Sequence, residues 1–398
     1  MITEDFKGLY RERQSVFKRA EVFDIEYTPS ELIARSEALE VFSKTISFMK
    51  SRASQHLFIF GGHGSGKTAY AKYINSQVKE LIKLDKLNFN IEYINCRFVK
   101  EAWDIPEFLY ESNKKALEDP EEILIKKLDK DLILILDEVD ELDESGEPSD
   151  FFYLISRFQE IQEINKNKIM LILISNKKEW DKTLDSATRS SLSLVKIEFK
   201  KYTQEQIEEI LKQRINQGLE NPEMISDEII KKIANRTLEN NSDLRIAFKA
   251  VKMLITFLED NKRKDVLEQD VSSIYENAIE HIQLERIGQL DNPQFMILYA
   301  IRNSEENSSR EVYKKYKDSS NTVGIKPWGY TRFVHYTNEL EDQDFLALNK
   351  GKKEGQENII VNKLNLKIKD EVIDKEFENR QLDFANDRNK ETNNHLFK

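Results

Sequence analysis

The chain has 398 residues, 39% of them hydrophobic, and a formal net charge of −11 at pH 7. That length predicts two or three domains, because one ordinary hydrophobic core does not extend over so many residues. Cys96 is the only cysteine, which excludes an internal disulfide, and the lack of a ~20-residue apolar run or of an apolar leader predicts a cytoplasmic protein without a membrane partner.

Between residues 56 and 200, apolar strand-like segments alternate with amphipathic segments of helical spacing. Strands are predicted at His56–Phe60, Phe89–Asn95, Leu132–Leu136, Ile169–Ile174 and Leu194–Phe199. Helices are predicted at Lys67–Leu84, Ile105–Leu117 and Ser149–Glu163. Such alternation is typical of a parallel sheet covered by helices. We therefore expect an α/β fold with a parallel five-stranded sheet.

A complete phosphate-loop motif follows the first predicted strand. Residues 61–68 match the pattern GxxxxGK(S/T), in which glycines allow backbone N–H groups to surround phosphates. Lys67 can reach the β and γ oxygens, and the Thr68 hydroxyl can ligate magnesium. The predicted nucleotide-binding residues here are Gly61, Gly62, His63, Gly64, Ser65, Gly66, Lys67, Thr68 and Ala69. The motif predicts a nucleoside triphosphate, with Mg²⁺, as the cofactor.

Polar side chains follow two of the later strands. Asp137 and Glu138 end an apolar strand in the Walker B pattern, in which Asp137 would hold Mg²⁺ and Glu138 would be the general base. Asn176 follows the next predicted strand and could orient the attacking water if the two strands are neighbours. Alternatively, Asn176 is a turn residue at a strand end.

After residue 200 the chain predicts successive amphipathic helices up to about residue 283. Arg245 lies near the start of one of them, where it could contact a γ-phosphate and report ATP against ADP. Its alternative is an ordinary exposed arginine. We expect four regions, namely a nucleotide-binding base domain at 1–200, a helical lid at 201–285, a winged helix at 286–369 and a charged tail at 370–398.

The winged helix is predicted from three helices followed by two strands. The helices are Asn292–Arg302, Arg310–Tyr316 and Tyr330–Leu340, and the strands are Ala347–Asn349 and Asn358–Leu364. Phe333, Tyr336 or Thr337, and Leu340 have core spacing. The predicted DNA-binding residues are Tyr330, Thr331, Arg332, Lys350, Lys352 and Lys353. The alternative for the lysines is a solvated hairpin tip, and residues 370–398 predict a solvated helix that frays into disorder.

Together these motifs resemble the AAA+ ATPases, and most closely the archaeal replication initiators of the origin-recognition and Cdc type. The N-terminal residues 16–17, 27–29 and 32–37 resemble the segment that packs over adenine in that family, which implies that Tyr27 contacts the nucleotide. Residues 94–97, 174–176 and 185–192 resemble further family motifs, so the resemblance runs from Val16 to Asn349.

Two features depart from the family pattern. The arginine expected before Ser-Ser-Leu falls at Ala187, and Arg189 stands two positions later, so Arg189 replaces the arginine finger that acts in trans or the finger is missing. The segment 98–117, where the family has a DNA-contacting helix, is acidic, with Glu101, Asp104 and Glu107 among its residues.

The resemblance implies an ATPase that uses ATP or ADP as a switch, hydrolyses ATP slowly and initiates DNA replication. Its implied partners are double-stranded DNA at replication origins, the replicative helicase and other initiator copies, with a nucleoid-associated location. Two rival functions remain, both directed at a protein partner. One is a signalling NTPase switch, and the other is a AAA+ remodelling motor or transposition-type regulator that works as a ring on a protein.

Overall fold

The computed structural model describes residues 15–33, 35–53, 55–99, 101–110, 120–142, 147–161, 167–353 and 356–381. The chain divides into two compact units, Met1–Val271 and Ser272–Lys398. None of the helices in the described ranges combines the length and the apolar character needed to span a bilayer.

The first unit is built on a five-stranded parallel sheet. Its strands are β1 (Leu57–Phe60), β2 (Phe89–Asn95), β3 (Asp131–Asp137), β4 (Ile169–Ser175) and β5 (Val195–Glu198). Their order across the sheet is β2-β3-β4-β1-β5, and all neighbouring pairs are parallel. Strands β3 and β4 are buried at every residue, as expected where helices cover both faces of a sheet. The predicted α/β class and strand number are confirmed.

Alternating side chains divide the strands between two cores. Phe58 and Leu134 belong to the core on one face of the sheet, while Ile59 and Ile133 belong to the core on the other. The covering helices are α1 (Ser36–Ser51), α2 (Lys67–Asp85), α3 (Ile105–Tyr110), α4 (Pro120–Lys127), α5 (Glu147–Ser156), α6 (Phe158–Ile161) and α7 (Ser186–Leu192). The helix predicted over Ser149–Glu163 is therefore two helices, separated by a turn at Arg157. Residues 111–117 of another predicted helix lie outside the described residues.

Four helices follow the sheet, as predicted for the lid. They are α8 (Gln204–Gly218), α9 (Asp227–Glu239), α10 (Leu244–Asp260) and α11 (Glu268–Gly288). Side chains at their N-termini satisfy backbone N–H groups that have no partner within the helix. Thr203 and Gln206 form a capping box on α8, Ser226 caps α9 and Asp243 caps α10.

The N-terminal segment is fixed to the lid. Phe17 forms an antiparallel bridge with Leu219, and the backbone N–H of Lys18 donates to the Gly218 carbonyl at 2.9 Å. Val22 and Phe23 are buried against this region. A Cβ at Gly218 would lie 2.4 Å from the Phe23 ring, so only glycine permits this approach.

The second unit has the predicted three helices and two strands. They are α12 (Asn292–Arg302), α13 (Ser309–Val323), α14 (Tyr330–Asp342), β6 (Leu346–Lys353) and β7 (Gln356–Leu366), and the two strands form an antiparallel hairpin. Phe333, Thr337 and Leu340 are buried, so Thr337 and not Tyr336 completes the predicted core spacing of α14.

Residues 370–381 form a further helix, and the prediction that it is solvated is wrong. Val372 and Ile373 are fully buried, and the Phe377 ring stacks on Tyr299 with 4.2 Å between centroids. The buried Arg380 pairs with Glu376 at 2.6 Å and donates to the Ile287 carbonyl at 2.8 Å. The Arg380 charge is therefore paired inside the fold, and the composition of this segment does not show that pairing. Residues 382–398 lie outside the described residues.

One buried histidine predicts acid sensitivity. His56 is 8% exposed, its Nδ1 accepts the Leu171 N–H at 3.1 Å, and burial lowers its pKa from 6.5 to about 4. In the unfolded chain His56 therefore binds a proton as the pH falls below 6.5, whereas in the folded chain it stays neutral until about pH 4. We expect the His56 contribution to the free energy of unfolding to decrease over that interval by up to about 3 kcal/mol.

The comparison is chemical denaturation of wild type and His56→Asn at pH 7, 5.5 and 4.5. Asparagine keeps an acceptor for Leu171 but cannot titrate, so its stability should fall less between pH 7 and 4.5. Equal losses in the two proteins would contradict the assignment.

Candidate functional site

The phosphate loop lies between β1 and α2, against the lid. Gly64 and Gly66 have φ angles of 74° and 84°, in the left-handed region that favours glycine. A Cβ at Gly64 would lie 2.7 Å from the Asp243 carboxylate, and one at Gly66 would lie 2.2 Å from the Tyr202 hydroxyl. Both backbone shape and lid contact therefore require these glycines.

Lys67 is buried and points back over the loop. Its Nζ donates to the carbonyls of Gly61 at 2.8 Å and Gly62 at 3.0 Å, and to Asn176 Oδ1 at 2.9 Å. Burial lowers the pKa of Lys67 to about 8, although the Asp137 carboxylate acts in the opposite direction. Asn176 reaches Lys67 because β4 pairs with β1, and β4 also pairs with β3, as the sequence hypothesis required.

Asp137 lies at the end of β3 beside the first turn of α2. Its carboxylate accepts the Tyr93 hydroxyl at 2.8 Å and is hydrogen-bonded to the Thr68 side chain. Burial raises its pKa above the usual value, while these hydrogen bonds act against the rise. The structure thus brings together Thr68 and Asp137, the two residues predicted to hold a metal.

This pair suits Mg²⁺. The residues that the structure describes contain no group of three histidine, cysteine, aspartate or glutamate side chains that could enclose a metal ion. Mg²⁺ bound with a nucleotide needs no such group, because one or two protein oxygens, phosphate oxygens and waters complete its shell. A hydroxyl and a carboxylate next to Lys67 are the oxygen ligands that this arrangement uses.

Glu138 follows Asp137 in a constrained backbone position. Its φ is 56°, which is uncommon for a residue with a side chain and often marks a functional site. Burial raises the pKa of Glu138, whereas Arg97, with Nε 3.8 Å from Glu138 Oε2, and a hydrogen bond with Asn95 lower it. Arg97 Nη2 is also 3.8 Å from the Glu141 carboxylate.

Tyr93 and Arg97 are site residues for which sequence reasoning gave no role. Tyr93 lies on β2 and Arg97 lies just after it, and the adjacency of β2 and β3 brings both to the Walker B carboxylates. The signal available in the sequence was the polar character of the residues that end β2.

Arg245 occupies the first turn of α10. Its guanidinium is paired with Asp243, the residue that caps the same helix, with Nη2 2.6 Å from Oδ2 and Nε 2.9 Å from Oδ1. Asp243 in turn lies against Gly64. The lid arginine is thus held beside the phosphate loop by a carboxylate that contacts that loop.

A cavity of about 500 Å³ lies between the sheet and the lid within the first unit. That volume is in the range of small-molecule sites. The predicted site residues that line it are Tyr27, His63, Gly64, Gly66, Lys67, Thr68, Ala69, Asp137, Glu138, Asn176 and Arg245. Gly61, Gly62 and Ser65 belong to the loop but not to the lining.

Arg189 lies apart from this cavity. It is half-buried in α7, and its Nη1 donates to the Lys182 carbonyl at 3.2 Å. Asp185 caps the same helix, and Ala187 is exposed in its first turn. Within one chain the structure does not bring Arg189 to the other predicted catalytic residues, so an action in trans stays a prediction.

The second unit carries the other predicted surface. Tyr330, Thr331 and Arg332 are exposed at the start of α14. The Arg332 guanidinium lies 4.5 Å from the Trp328 ring centroid, and Trp328 stacks on Tyr336 at 4.1 Å.

The predicted wing residues Lys350, Lys352 and Lys353 lie on β6. That strand extends to Lys353, so these lysines belong to the strand and not to the turn that the sequence predicted. Lys350 pairs with Asn362 and Lys352 with Ile360 in the hairpin register. The turn residues 354–355 lie outside the described residues.

Two family models match this chain, one in each unit. Residues 57–201 match the family model "ATPase family associated with various cellular activities (AAA)", and residues 285–374 match "CDC6, C terminal winged helix domain". The chain is 27% identical over 350 residues to the ORC1-type DNA replication protein 1 of Archaeoglobus fulgidus, covering 82% of both chains. It is 26% identical over 357 residues to the ORC1-type DNA replication protein of Pyrococcus horikoshii, covering 84% of both.

Solved structures share the fold. The Aeropyrum pernix ORC1 protein, determined in complex with DNA, matches with a TM-score of 0.73 and 20% identity over 92% of this chain and 97% of that one. The Aeropyrum pernix ORC2 protein, determined in ADPNP-ADP complexes, matches with a TM-score of 0.60 and 21% identity over 92% and 100%. At these identities the matches show a common fold.

The lowered pKa of Lys67 predicts how ATP affinity depends on pH. Below about pH 8 the free protein already carries the ammonium group that attracts phosphate, whereas above it binding must take up a proton. We expect a constant affinity from pH 6.5 to 7.5 and a decrease approaching tenfold per pH unit above 8. Titrations of Mg-ATP by calorimetry from pH 6.5 to 9.5 measure this, and Lys67→Ala should bind weakly with no such dependence. An equal wild-type affinity at pH 7 and 9.5 would contradict it.

Proposed function

Because the chain belongs to the AAA+ ATPases of the archaeal origin-recognition and Cdc6 type, we propose that it is an ATP-controlled DNA replication initiator. The observation that carries the proposal is one cavity that combines Lys67, Asp137, Glu138, Asn176 and Arg245 in a chain that also has a winged helix. The cavity provides the switch and the winged helix provides the DNA contact.

In this proposal the triphosphate lies along the phosphate loop, with the N-terminus of the 19-residue helix α2 directed at it. Lys67 exchanges its carbonyl partners for phosphate oxygens. Thr68 and Asp137 would hold Mg²⁺, which would neutralise phosphate charge. Glu138 accepts a proton from the attacking water, and Asn176 orients that water.

One contact supports a switch that responds to the γ-phosphate. Asp243 pairs with Arg245, so a γ-phosphate must compete with a carboxylate for the lid arginine. ATP would shift the lid when its γ-phosphate replaces Asp243 as the partner of Arg245. ADP, which has no γ-phosphate, would leave Arg245 paired with Asp243.

DNA binding is assigned to the second unit. The exposed start of α14, with Tyr330, Thr331 and Arg332, would enter a major groove, while the β6 lysines would contact phosphates or the minor groove. The Aeropyrum pernix ORC1 protein, which shares this fold, was determined in complex with DNA, and this supports DNA binding by the chain. We further propose that the DNA is a replication origin and that the chain helps to load the replicative helicase there. Other copies of the initiator would be its partners, and the protein would be associated with the nucleoid.

The general base has a matched control in the same loop. Glu138→Gln should leave ATP affinity within about threefold of wild type and reduce single-turnover hydrolysis by about 10²–10⁴-fold, because general-base catalysis contributes that much. Glu141→Gln removes the same charge from the other carboxylate near Arg97 and should keep hydrolysis within a few-fold. Equal rates for Glu138→Gln and wild type would remove the assignment.

The DNA assignment is tested by competition binding. Labelled intergenic duplexes from the native genome would be compared with shuffled duplexes, with ATP and with ADP, at ~150 mM salt. An initiator should prefer one native duplex by roughly a hundredfold or more. Arg332→Ala should weaken binding by about 5- to 100-fold, and Lys352→Ala should lower the salt slope by about one unit.

Lys375→Ala is the control variant, because Lys375 is an exposed lysine of the same unit that pairs with Glu280 at 3.2 Å. It should bind DNA as wild type does. Uniformly weak binding of all duplexes, unaffected by any of these substitutions, would instead favour an NTPase switch whose winged helix contacts a protein.

A further inference from the structure

One wall of the cavity contains a buried arginine whose hydrogen-bonding groups are not all satisfied. Arg214 lies on α8, is 5% exposed and lines the cavity. Its Nε and Nη1 atoms are buried and have no hydrogen-bond partner. Buried polar groups in folded proteins are normally paired, so unpaired donors at a cavity wall indicate that a ligand pairs with them.

Two aromatic rings hold the guanidinium. Its central carbon lies 4.5 Å from the ring centroid of Tyr27, in the N-terminal segment, and 5.0 Å from that of Phe248, on α10. Burial lowers the pKa of Arg214 to about 10, so the group remains charged at neutral pH. The rings stabilise the cation through its faces but accept none of the N–H groups in its plane.

Arg35 is a second buried arginine of the same unit, away from the cavity lining, and its hydrogen bonds can be compared with those of Arg214. Arg35 is 6% exposed and lies 4.2 Å from the Tyr202 ring, so its burial and ring contact resemble those of Arg214. Its two terminal nitrogens, however, donate to backbone carbonyls, with Nη1 2.7 Å from the Ser65 oxygen and Nη2 bonded to the Lys200 oxygen, so only Nε is buried without a partner. Arg214 has no carbonyl of this kind among its hydrogen bonds.

The cavity lining has two chemically different walls. Phosphate-binding groups come from the loop and the strand ends, among them Lys67 and Asn176. The remaining wall is largely apolar or aromatic and comes from the N-terminal segment and the lid, with Ile25, Tyr27, Pro29, Leu32, Ile33, Ile210, Leu244 and Phe248. Arg214 belongs to this second wall, which suits a flat heterocycle and not a phosphate chain.

We propose that Arg214 is the residue that recognises the nucleobase, by donating hydrogen bonds to ring-nitrogen acceptors of a purine. A guanidinium has donors but no acceptor, so it pairs with N1, N3 or N7 of adenine and not with the exocyclic amine. The inference rests on the proposed function, since it assumes that the triphosphate occupies the phosphate loop. It adds that specificity for the base resides in one side chain of the lid.

Comparing ATP with inorganic tripolyphosphate separates base recognition from phosphate binding. In Arg214→Gln, ATP affinity should fall about 10- to 100-fold, because a hydrogen bond from a charged group is lost, while tripolyphosphate affinity should be unchanged. Lys212→Gln is the matched control, since it removes a positive charge from the same helix, and Lys212 pairs with Asp227 at 2.7 Å and does not line the cavity. It should retain wild-type affinity for both ligands.

Deaza analogues identify the acceptor. Of 1-deaza-, 3-deaza- and 7-deaza-ATP, at least one should bind wild type about tenfold or more weaker than ATP, and the same analogue should bind Arg214→Gln as ATP does. Thermal unfolding with and without tripolyphosphate checks that each variant folds. Where Arg214→Gln does not fold, the deaza series on wild type and on Arg214→Lys decides the question.

Three results would overturn the inference. They are equal ATP affinity in Arg214→Gln and wild type, equal losses of ATP and tripolyphosphate affinity in that variant, and equal wild-type affinity for ATP and all three deaza analogues. A wild-type protein that binds neither ATP nor tripolyphosphate would instead contradict the proposed function itself.

Discussion

The close contact between the glycine loop and the lid is the constraint on which the nucleotide site depends. Any side chain at Gly66 would overlap the Tyr202 hydroxyl, and any at Gly64 would overlap Asp243. Tyr202 in turn faces the guanidinium of Arg35, which bonds the Ser65 carbonyl of the same loop. The loop is therefore positioned from the lid side as well as by β1 and α2, and a shift of either part must move the other.

The site contains buried ionisable groups whose pKa values are shifted in the direction that favours their neutral forms. Burial lowers the pKa of Lys67 and raises those of Asp137 and Glu138, because water that would solvate each charged form is excluded. A triphosphate and a magnesium ion would supply opposite charges to both kinds of group. The free protein thus holds its polar groups in a state that a charged ligand stabilises, and this preorganisation lowers the reorganisation that binding requires.

Much of this arrangement could be predicted from sequence, because parallel strands bring their carboxyl ends to one edge. The strand Phe89–Asn95 and the meeting of Lys67, Asp137 and Asn176 follow from motif spacing and from that rule. Arg97 and Arg214 could not be assigned roles in this way. Their partners depend on which strand neighbours β3 and on how α8 packs against the N-terminal segment, and neither is encoded in local spacing. Residues 370–381 show the same limit, since a charged helix is buried only when another part of the chain pairs its charges.

Two arginines of the lid face the same cavity from different helices. Arg214, on α8, lies among the aromatic and apolar side chains, whereas Arg245, on α10, lies beside Asp243 and the glycine loop. In the proposed function the first contacts the base and the second competes for the γ-phosphate. A nucleotide without the γ-phosphate then satisfies Arg214 but leaves Arg245 with Asp243, so base binding alone does not complete lid closure. In this proposal only a ligand that engages both ends would draw both helices toward the loop, so the lid would hold ATP and ADP alike and still respond to the difference between them.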